Sequence, residues 1–428
     1  MLNAVKNSVR RYLRTTEQYT GTDNVALVRN GFWGVFSPVV GALVSLGLTV
    51  LYANLLPKET LGTFKYILAL GGSLGFLTLT GMNNAVTQAV GKGAKGALLY
   101  SVRLQLRWNS LYAVASVILG GYYLFQHNLT IGLGIIILGI MFPVSAALNT
   151  YGAFLAGQRK FRAVALLAAL SNVFYGITIA LAIFFSKAAF IIVVAHALGT
   201  LIPIVIAYLV ISKRDQSVLP PLEQHALKRF GQHLSLINIF ATISKNIDRI
   251  ALFHFAGPVV LATYSIANAV PERAKGLLAS ALPSLLPSLS RRDVGMIKSS
   301  LYMRIVQGLI IGIIAASAYW LLAPPLFHFV APKYLESIQY SRWLSLGLIL
   351  AIPYLYVANA LIGQKMIRGL YAQSWTMHIT RIITIPLAVY FYGMWGLVIG
   401  MLALQIFGLI TYVVAWEIES RRFLDMHP

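Results

Sequence analysis

Long apolar segments recur along the whole chain, and they constrain its fold more than any other feature. A helix needs about 20 mostly apolar residues to cross a bilayer. Twelve segments meet this requirement: 31–56, 61–90, 104–125, 129–155, 163–185, 189–211, 234–255, 259–284, 301–323, 343–363, 375–392 and 394–416. Because backbone polar groups must be satisfied within lipid, the sequence predicts an all-α polytopic membrane protein with 12 transmembrane helices.

Composition excludes several classes of function. Apolar residues make up 58% of the 428 residues and charged residues only 11%, which is too apolar for a soluble domain. The chain has no cysteine, so disulfides, thiolate catalysis and cysteine metal sites are excluded. It also lacks Walker and HExxH motifs. We therefore expect a protein that is not an enzyme and that needs no metal or cofactor.

The distribution of basic residues predicts the orientation. The formal net charge is +22, from 34 basic and 12 acidic residues, a balance that in a soluble protein would indicate nucleic acid. With the N-terminus inside, 24 basic residues fall in inner segments and 4 in outer segments. This is the positive-inside bias. It predicts a multi-pass protein of the cytoplasmic membrane with both termini cytoplasmic, whose partners include membrane lipid and no nucleic acid.

The longest inner loop divides the chain into two sets of six helices. The predicted organisation is a cytoplasmic segment 1–30, an N-lobe 31–211, a cytoplasmic linker 212–233, a C-lobe 234–416 and a cytoplasmic tail 417–428. The halves also look related, because LLPKETLGTFKYILAL (55–70) resembles FAGPVVLATYSIANAV (255–270). Six-plus-six repeats of this kind are typical of transporters, whose substrate site lies between the halves.

Ionisable residues cluster on two consecutive apolar segments that are separated by Gly257–Pro258. They are Lys245, Asp248, Arg249, Glu272, Arg273 and Lys275. Each such group near a helix centre costs about 2.5–3.5 kcal/mol, so it normally faces a protein interior or an aqueous cavity. By helix rise, Lys245 lies about 16 Å along the seventh helix, close to the midplane. The cluster predicts a mostly cationic cavity inside the membrane.

Two stretches resemble a known family. Residues 30–86, NGFWGVFSPVVGALVSLGLTVLYANLLPKETLGTFKYILALGGSLGFLTLTGMNNAV, resemble the first two helices of polysaccharide flippases, the Wzx-like O-antigen and teichoic-acid exporters of the multidrug/oligosaccharidyl-lipid/polysaccharide superfamily. NIDRIALFHFAGPVVLATYSIANAV (246–270) is similar to the family's D-R-hydrophobic…G…Y-S-hydrophobic-A signature, and Arg273 with LPSLSRR (286–292) resembles its eighth helix.

The resemblance implies a fold and a function. It implies two six-helix lobes packed as a V around a central cavity, as in MATE-like proteins. It also implies alternating access that carries a polyprenyl-diphosphate-linked oligosaccharide across the membrane for surface polysaccharide biosynthesis. A polysaccharide polymerase and glycosyltransferases are candidate protein partners. The sequence identifies neither the glycan nor a coupling ion.

Cations at cavity depth are suited to a diphosphate. Arginine pairs bidentately with phosphate oxygens, and lysine acts as a mobile point charge. The predicted substrate-binding residues are Lys245, Arg249, Arg273, Lys275 and Lys65, and the predicted ion-coupling or charge-tuning residues are Asp248 and Glu272. Lys65 lies near a predicted helix end, where snorkelling explains it equally well, and the resemblance favours it as a lining residue. Arg381 lies similarly near the inner boundary.

Other interpretations remain open at this stage. Intramembrane ion pairs, Lys245–Asp248 and Glu272–Lys275, would fix helix packing without binding a substrate. A cation-coupled multidrug or small-molecule exporter of the same superfamily would need an excess of buried carboxylates. A non-transporting assembly factor would tolerate neutralisation of these charges. A peptidoglycan-precursor flippase is expected to carry two further helices after the twelfth.

Overall fold

A computed structural model describes residues 24–426, except 214, 216, 282–288 and 290–292. Within these residues the elements are helices and short turns, with no strand. The helices of the first half are α1 Asn24–Leu55, α2 Lys58–Leu74, α3 Met82–Gly91, α4 Ala97–Trp108, α5 Ser110–Phe125, α6 Leu129–Leu148, α7 Thr150–Gly157, α8 Phe161–Phe185 and α9 Ala189–Ser212. Those that follow are α10 Pro221–Ile237, α11 Ile239–Ser244, α12 Ile247–Ala267, α13 Ala269–Ala281, α14 Val294–Val330, α15 Ser337–Ser345, α16 Gly347–Gly363 and α17 Ile367–Met426.

The described part of the chain contains nine helical segments that are long and apolar enough to cross a membrane. Two of them contain a break at a glycine of positive φ, Gly257 (φ 85°) in α12 and Gly393 (φ 55°) in α17. Glycine adopts this conformation without steric cost. When these two segments are divided and the α4–α5 segment is added, the architecture is consistent with the predicted twelve crossings.

Several helices run past the apolar segments from which they were predicted. The ninth predicted segment is 301–323, but α14 extends from Val294 to Val330, and α17 continues to Met426 rather than stopping at 416. Ion pairs stabilise these polar ends, where Glu417 lies 3.7 Å from Lys298 and 3.9 Å from Arg421. Hydropathy marks only the lipid-facing length of a helix and does not show where the helix ends. Most of the predicted tail 417–428 belongs to α17 and is therefore helical.

The segment 212–233 is attached to the first half. Its second part belongs to α10, which packs against α3. The carboxylate of Asp215 accepts hydrogen bonds from the backbone N–H groups of Gly96 (2.8 Å) and Leu98 (3.3 Å) at the start of α4. A carboxylate at this position satisfies free N–H groups and complements the helix dipole. The linker is therefore held to the first half through a helix N-terminus.

The two halves meet along α2 and α12, and along α1 and α13. Gly62 of α2 lies so close to the backbone carbonyl of Pro258 that a Cβ atom would clash with it. At this end of the bundle, Lys58 forms an ion pair with Glu336 at 2.6 Å, and Thr263 donates to the same carboxylate at 3.1 Å. We call this end, defined by these five residues, the closed end.

Further hydrogen bonds join the halves at the closed end. The Asn54 amide donates to the Val330 carbonyl at 2.8 Å, and the Lys333 ammonium donates to the Asn54 carbonyl at 2.6 Å. The faces that point away from the bundle are apolar, with exposed side chains such as Ile118 and Ile314. An apolar exterior around polar internal contacts is the arrangement expected in lipid.

Candidate functional site

The predicted ionisable residues converge on two adjoining cavities rather than on one. The first, which we call the charged cavity, has a volume of about 370 Å³ and lies between α12–α13 and α15–α17. Its ionisable lining residues are Lys245, Asp248, Arg249, Glu272, Lys275 and Arg381. Its remaining wall is largely apolar and includes Leu350, Leu355, Met377 and Met401.

The second cavity, which we call the polar cavity, has a volume of about 470 Å³ and lies among α1, α2, α8 and α13. Lys65 and Arg273 line this cavity and not the charged one. Glu272 lines both cavities, so they adjoin at this residue. The helix rise places Lys65 about 10 Å and Glu272 about 21 Å from the helix starts at the closed end. Both cavities therefore reach the middle of the bundle.

Arg249 of α12 and Glu272 of α13 form an ion pair. The arginine Nη2 atom lies 3.3 Å from Oε2 and 3.5 Å from Oε1 of the glutamate. The side chains are 28% and 52% exposed, so the pair remains accessible from the cavities. The Asn268 amide also donates to Oε2, at 3.4 Å. Because the pair is partly exposed, water or a ligand can compete for either partner at the junction of the cavities.

Asp248 is held differently, in a buried network. Its side chain is only 4% exposed, and its Oδ2 atom accepts a hydrogen bond from the Tyr264 hydroxyl at 2.6 Å. The Arg381 Nη2 atom lies 3.9 Å from the same oxygen. The Asn268 amide donates to the Tyr264 hydroxyl at 3.3 Å. Tyr264 and Asn268 thus bond neighbouring groups, and Asp248 contributes only a small exposed area to the charged cavity.

The two predicted ion pairs that would have explained the buried charges by helix packing alone do not form. Among the described residues, neither Lys245–Asp248 nor Glu272–Lys275 is an ion pair. Lys245 is exposed to the charged cavity. The Lys275 ammonium donates to the Gln405 side-chain oxygen at 2.9 Å, when that amide is oriented so that its nitrogen donates to a backbone carbonyl. The carboxylates pair instead with arginines.

Lys65 does not snorkel to the membrane surface. Its ammonium lies 4.8 Å from the centroid of the Tyr52 ring and faces the polar cavity. It is also within electrostatic range of Arg249, Glu272 and Arg273, three residues of the second half. A cation–π contact of this kind stabilises a desolvated ammonium. Lys65 is therefore the contribution of the first half to one cationic cluster shared by the two cavities.

The sequence predicts Arg381 near the inner boundary and leaves open whether it lines the cavity, and the structure places it in the charged cavity beside Asp248. It is the only Lys, Arg, Asp or Glu of the segment 375–392. Its isolation could have predicted a position in the cavity, because a single charge within an apolar helix is costly unless it faces a cavity or a partner. The polar lining that α1 and α8 contribute was also missed, because serine, threonine and tyrosine do not stand out in an apolar sequence.

The site carries a net positive charge. Its two cavities are lined by six cations and two carboxylates. Within the described residues, no carboxylate lies within ion-pair distance of four of the cations, which are Lys65, Lys245, Arg273 and Lys275. In a medium of low dielectric these charges attract an anion more strongly than they would in water. The arrangement is suited to a multiply charged anion at the junction of the cavities.

Comparison with solved structures identifies proteins of the same fold. A structure described as "Lipid II flippase MurJ, inward closed conformation" has a TM-score of 0.66 and 16% identity, and covers 93% of this chain and 91% of that chain. An inward-facing multidrug resistance MATE family transporter of the MOP superfamily has a TM-score of 0.60 and 15% identity, over 92% and 94%. Its outward-facing counterpart has a TM-score of 0.55 and 16% identity, over 92% and 96%. The chain therefore shares the fold of these transporters.

The family follows from the sequence comparison. The family model described as "Polysaccharide biosynthesis protein" matches residues 27–292, which is more than half of the chain. The chain belongs to this family. No curated protein matches it. The resemblance to polysaccharide flippases and to the wider superfamily is thereby confirmed.

Proposed function

We propose that the protein is a flippase that moves a polyprenyl-diphosphate-linked oligosaccharide across the cytoplasmic membrane for surface polysaccharide biosynthesis. The observation that carries this proposal is the lining of two adjoining mid-depth cavities, which contains six cations and only two carboxylates. A diphosphate supplies the compensating charge and several acceptor oxygens. Membership of a polysaccharide biosynthesis family and the fold shared with a lipid II flippase support a lipid-linked substrate.

In this proposal the diphosphate binds where the cavities adjoin. Arg249 and Arg273 donate to its oxygens, and Lys65, Lys245 and Lys275 contribute point charges. Arg249 must leave Glu272 at least in part to reach the ligand. That exchange is inexpensive, because the pair is partly exposed and long, at 3.3 Å. Substrate binding therefore loosens one of the contacts between the two helices.

The contacts at the closed end support alternating access. The Lys58–Glu336 ion pair and the Asn54 hydrogen bonds join the halves there. We assign the closed end to the outer face, because the positive-inside bias places Lys58 outside and both termini in the cytoplasm. In this state the cavities receive substrate from the cytoplasmic leaflet. Breaking the closed-end contacts and separating α2 from α12 then opens them outwards.

The two carboxylates serve different purposes in this proposal. Glu272 neutralises Arg249 while the cavities are empty, and this lowers the net positive charge that the site holds without substrate. Asp248 orients Arg381 and Tyr264 from its largely buried position in the cavity wall. Both are available for coupling to H⁺ or Na⁺, and Glu272 is the more accessible of the two.

Cation-coupled export of drugs is the competing function within the superfamily. Cationic drugs require carboxylates in excess, and the cavities here have the opposite balance. Like-charge repulsion at short range disfavours such ligands strongly. The charge of the cavities therefore favours an anionic lipid-linked substrate over a cationic drug.

The experiment follows labelled lipid-linked oligosaccharide in cells that lack the gene, with separate detection in each leaflet. Re-expression of the native chain should release glycan trapped on the cytoplasmic face, and Arg249→Ala plus Arg273→Ala should not. The matched control is Arg103→Ala plus Arg107→Ala, which removes two exposed cations of α4 that line neither cavity. Equal release by the cavity variant would refute the site assignment. Normal export after deletion, with redundant exporters also removed, would refute the flippase function.

A further inference from the structure

The polar cavity has a lining unlike that of the charged cavity. Six of its residues are uncharged and polar, and they come from α1 and α8: Ser37, Ser45, Thr49, Tyr52, Asn172 and Tyr175. The charged cavity has a largely apolar wall beyond its ionisable groups. The bound anion assigned to the junction explains the cations of both cavities. It does not explain a group of hydroxyls and an amide on the helices of the first half.

Three of these polar side chains have no hydrogen-bond partner in the part of the chain that the structure describes. Within the described residues, the side chains of Ser37, Ser45 and Asn172 make no hydrogen bond to the protein, although all three are at least partly buried. Polar groups in a membrane interior normally bond neighbouring helices, because leaving them unpaired is costly. Here they face a cavity of about 470 Å³, which is within the range of roughly 300–1,000 Å³ typical of ligand sites.

Two tyrosines of this wall are linked to each other and to Lys65. The Tyr175 hydroxyl lies 3.1 Å from the His196 Nδ1 atom and also interacts with the Tyr52 hydroxyl. Tyr52 is 4% exposed, and the Lys65 ammonium lies over its ring. The tyrosine network therefore holds Lys65 at the edge of the polar cavity, next to the unpartnered donors and acceptors of α1 and α8. An anion at the junction lies beside them.

We propose that the polar cavity binds the sugar residues that are attached directly to the diphosphate, and that Asn172 and Ser45 donate to or accept from their hydroxyl and acetamido groups. The inference rests on the proposed function and adds to it a place for the glycan, in the first half. The lipid chain, in contrast, has no polar groups to satisfy such a wall. Because a site that hydrogen-bonds a substrate rejects ligands without those groups, the polar cavity contributes to selection of the glycan.

The test measures the binding of two probes to the purified full-length protein in detergent. One is a short-chain prenyl diphosphate, and the other is the same molecule carrying one N-acetylhexosamine. The variants are Asn172→Leu, which removes the amide at similar volume, and the milder Ser45→Ala. The matched control is Asn83→Leu, on an exposed position of α3 that lines neither cavity. Each variant is first checked for a native elution volume and unfolding temperature.

The native protein should bind the glycosylated probe about tenfold more tightly than the bare diphosphate. Asn172→Leu and Ser45→Ala should each reduce that preference about three- to tenfold, as expected for a lost hydrogen bond, and leave binding of the bare probe within twofold. Asn83→Leu should change neither. Equal affinity of the native protein for both probes, or equal loss of both in the variants, would overturn the inference. Failure of the native protein to bind either probe would instead overturn the proposed function.

Discussion

Replacement of Asp248 by asparagine should destabilise the protein through Arg381. The substitution keeps the shape of the side chain but removes its charge. The Tyr264 hydroxyl, at 2.6 Å, then donates to a neutral acceptor, and Arg381 loses the carboxylate at 3.9 Å. No other described carboxylate forms an ion pair with Arg381. The cavity is thereby left with an uncompensated guanidinium that is three-quarters buried.

The magnitude follows from the two contacts. A hydrogen bond to a charged group contributes about 1 kcal/mol more than a neutral one. Breaking a fully buried ion pair by removing one partner costs about 3–5 kcal/mol. Arg381 is 25% exposed to the cavity, so we expect roughly 2 kcal/mol from this second effect. The change in the free energy of unfolding should therefore be about 3 kcal/mol for Asp248→Asn.

The assay is a double-mutant cycle of Asp248→Asn and Arg381→Gln, with unfolding followed by denaturant titration in detergent. The double variant should be more stable than Asp248→Asn alone by about 2 kcal/mol, because it no longer contains the unpaired guanidinium. Arg381→Gln alone should also be destabilising, since it leaves a nearly buried carboxylate with only Tyr264. A double variant whose loss equals the two single losses added together would refute this coupling.

Further predictions concern the closed end and the linker. The Lys58 hydrogen bond lowers the pKa of the Glu336 carboxyl below its ordinary value of 4.5. The contribution of this ion pair to closure is present at neutral pH and is lost as pH falls through that lowered pKa. Because the chain has no cysteine, a pair of cysteines can be introduced across the closed end without background substitutions. Cross-linking of this pair should weaken only in acid. Exchange of Lys58 and Glu336 should preserve cross-linking that either single reversal abolishes. Gly62→Val should force α2 away from Pro258 and lower both transport and cross-linking, whereas an unchanged variant would contradict the tight contact. Asp215→Ala should cost about 1 kcal/mol of stability in thermal unfolding and leave transport intact, as expected for a helix cap.

Much of the fold could be predicted because membrane insertion imposes a simple rule on sequence. The apolar segments predicted an all-helical membrane protein, and Gly257–Pro258 marked a real break in α12. The ends of α14 and α17 could not be predicted, since hydropathy ends where lipid contact ends and the helix continues. Sequence also gave no indication that the linker is attached to the first half, because the Asp215 contact joins residues far apart in the chain.

The candidate site shows the same division. Arg249 and Glu272 stood out individually because charges in apolar helices are costly, and both line the charged cavity. Spacing along one helix predicted Lys245–Asp248 as a pair, but the actual partner of Asp248 is Arg381, 133 residues along the chain. Such pairs depend on which helices pack together. The polar cavity was missed for the same reason, since its wall forms only when α1 meets α8.

The central claim is that the cationic junction of the cavities moves a lipid-linked diphosphate. The most direct measurement uses purified protein in liposomes loaded with a fluorescent polyprenyl-diphosphate oligosaccharide, and scores its transfer between leaflets with a membrane-impermeant quencher. The account predicts that the native protein accelerates transfer, that Arg249→Ala plus Arg273→Ala lowers the rate at least tenfold, and that Arg103→Ala plus Arg107→Ala does not. Transfer at the native rate by the cavity variant, or no acceleration by the native protein over protein-free liposomes, would contradict it.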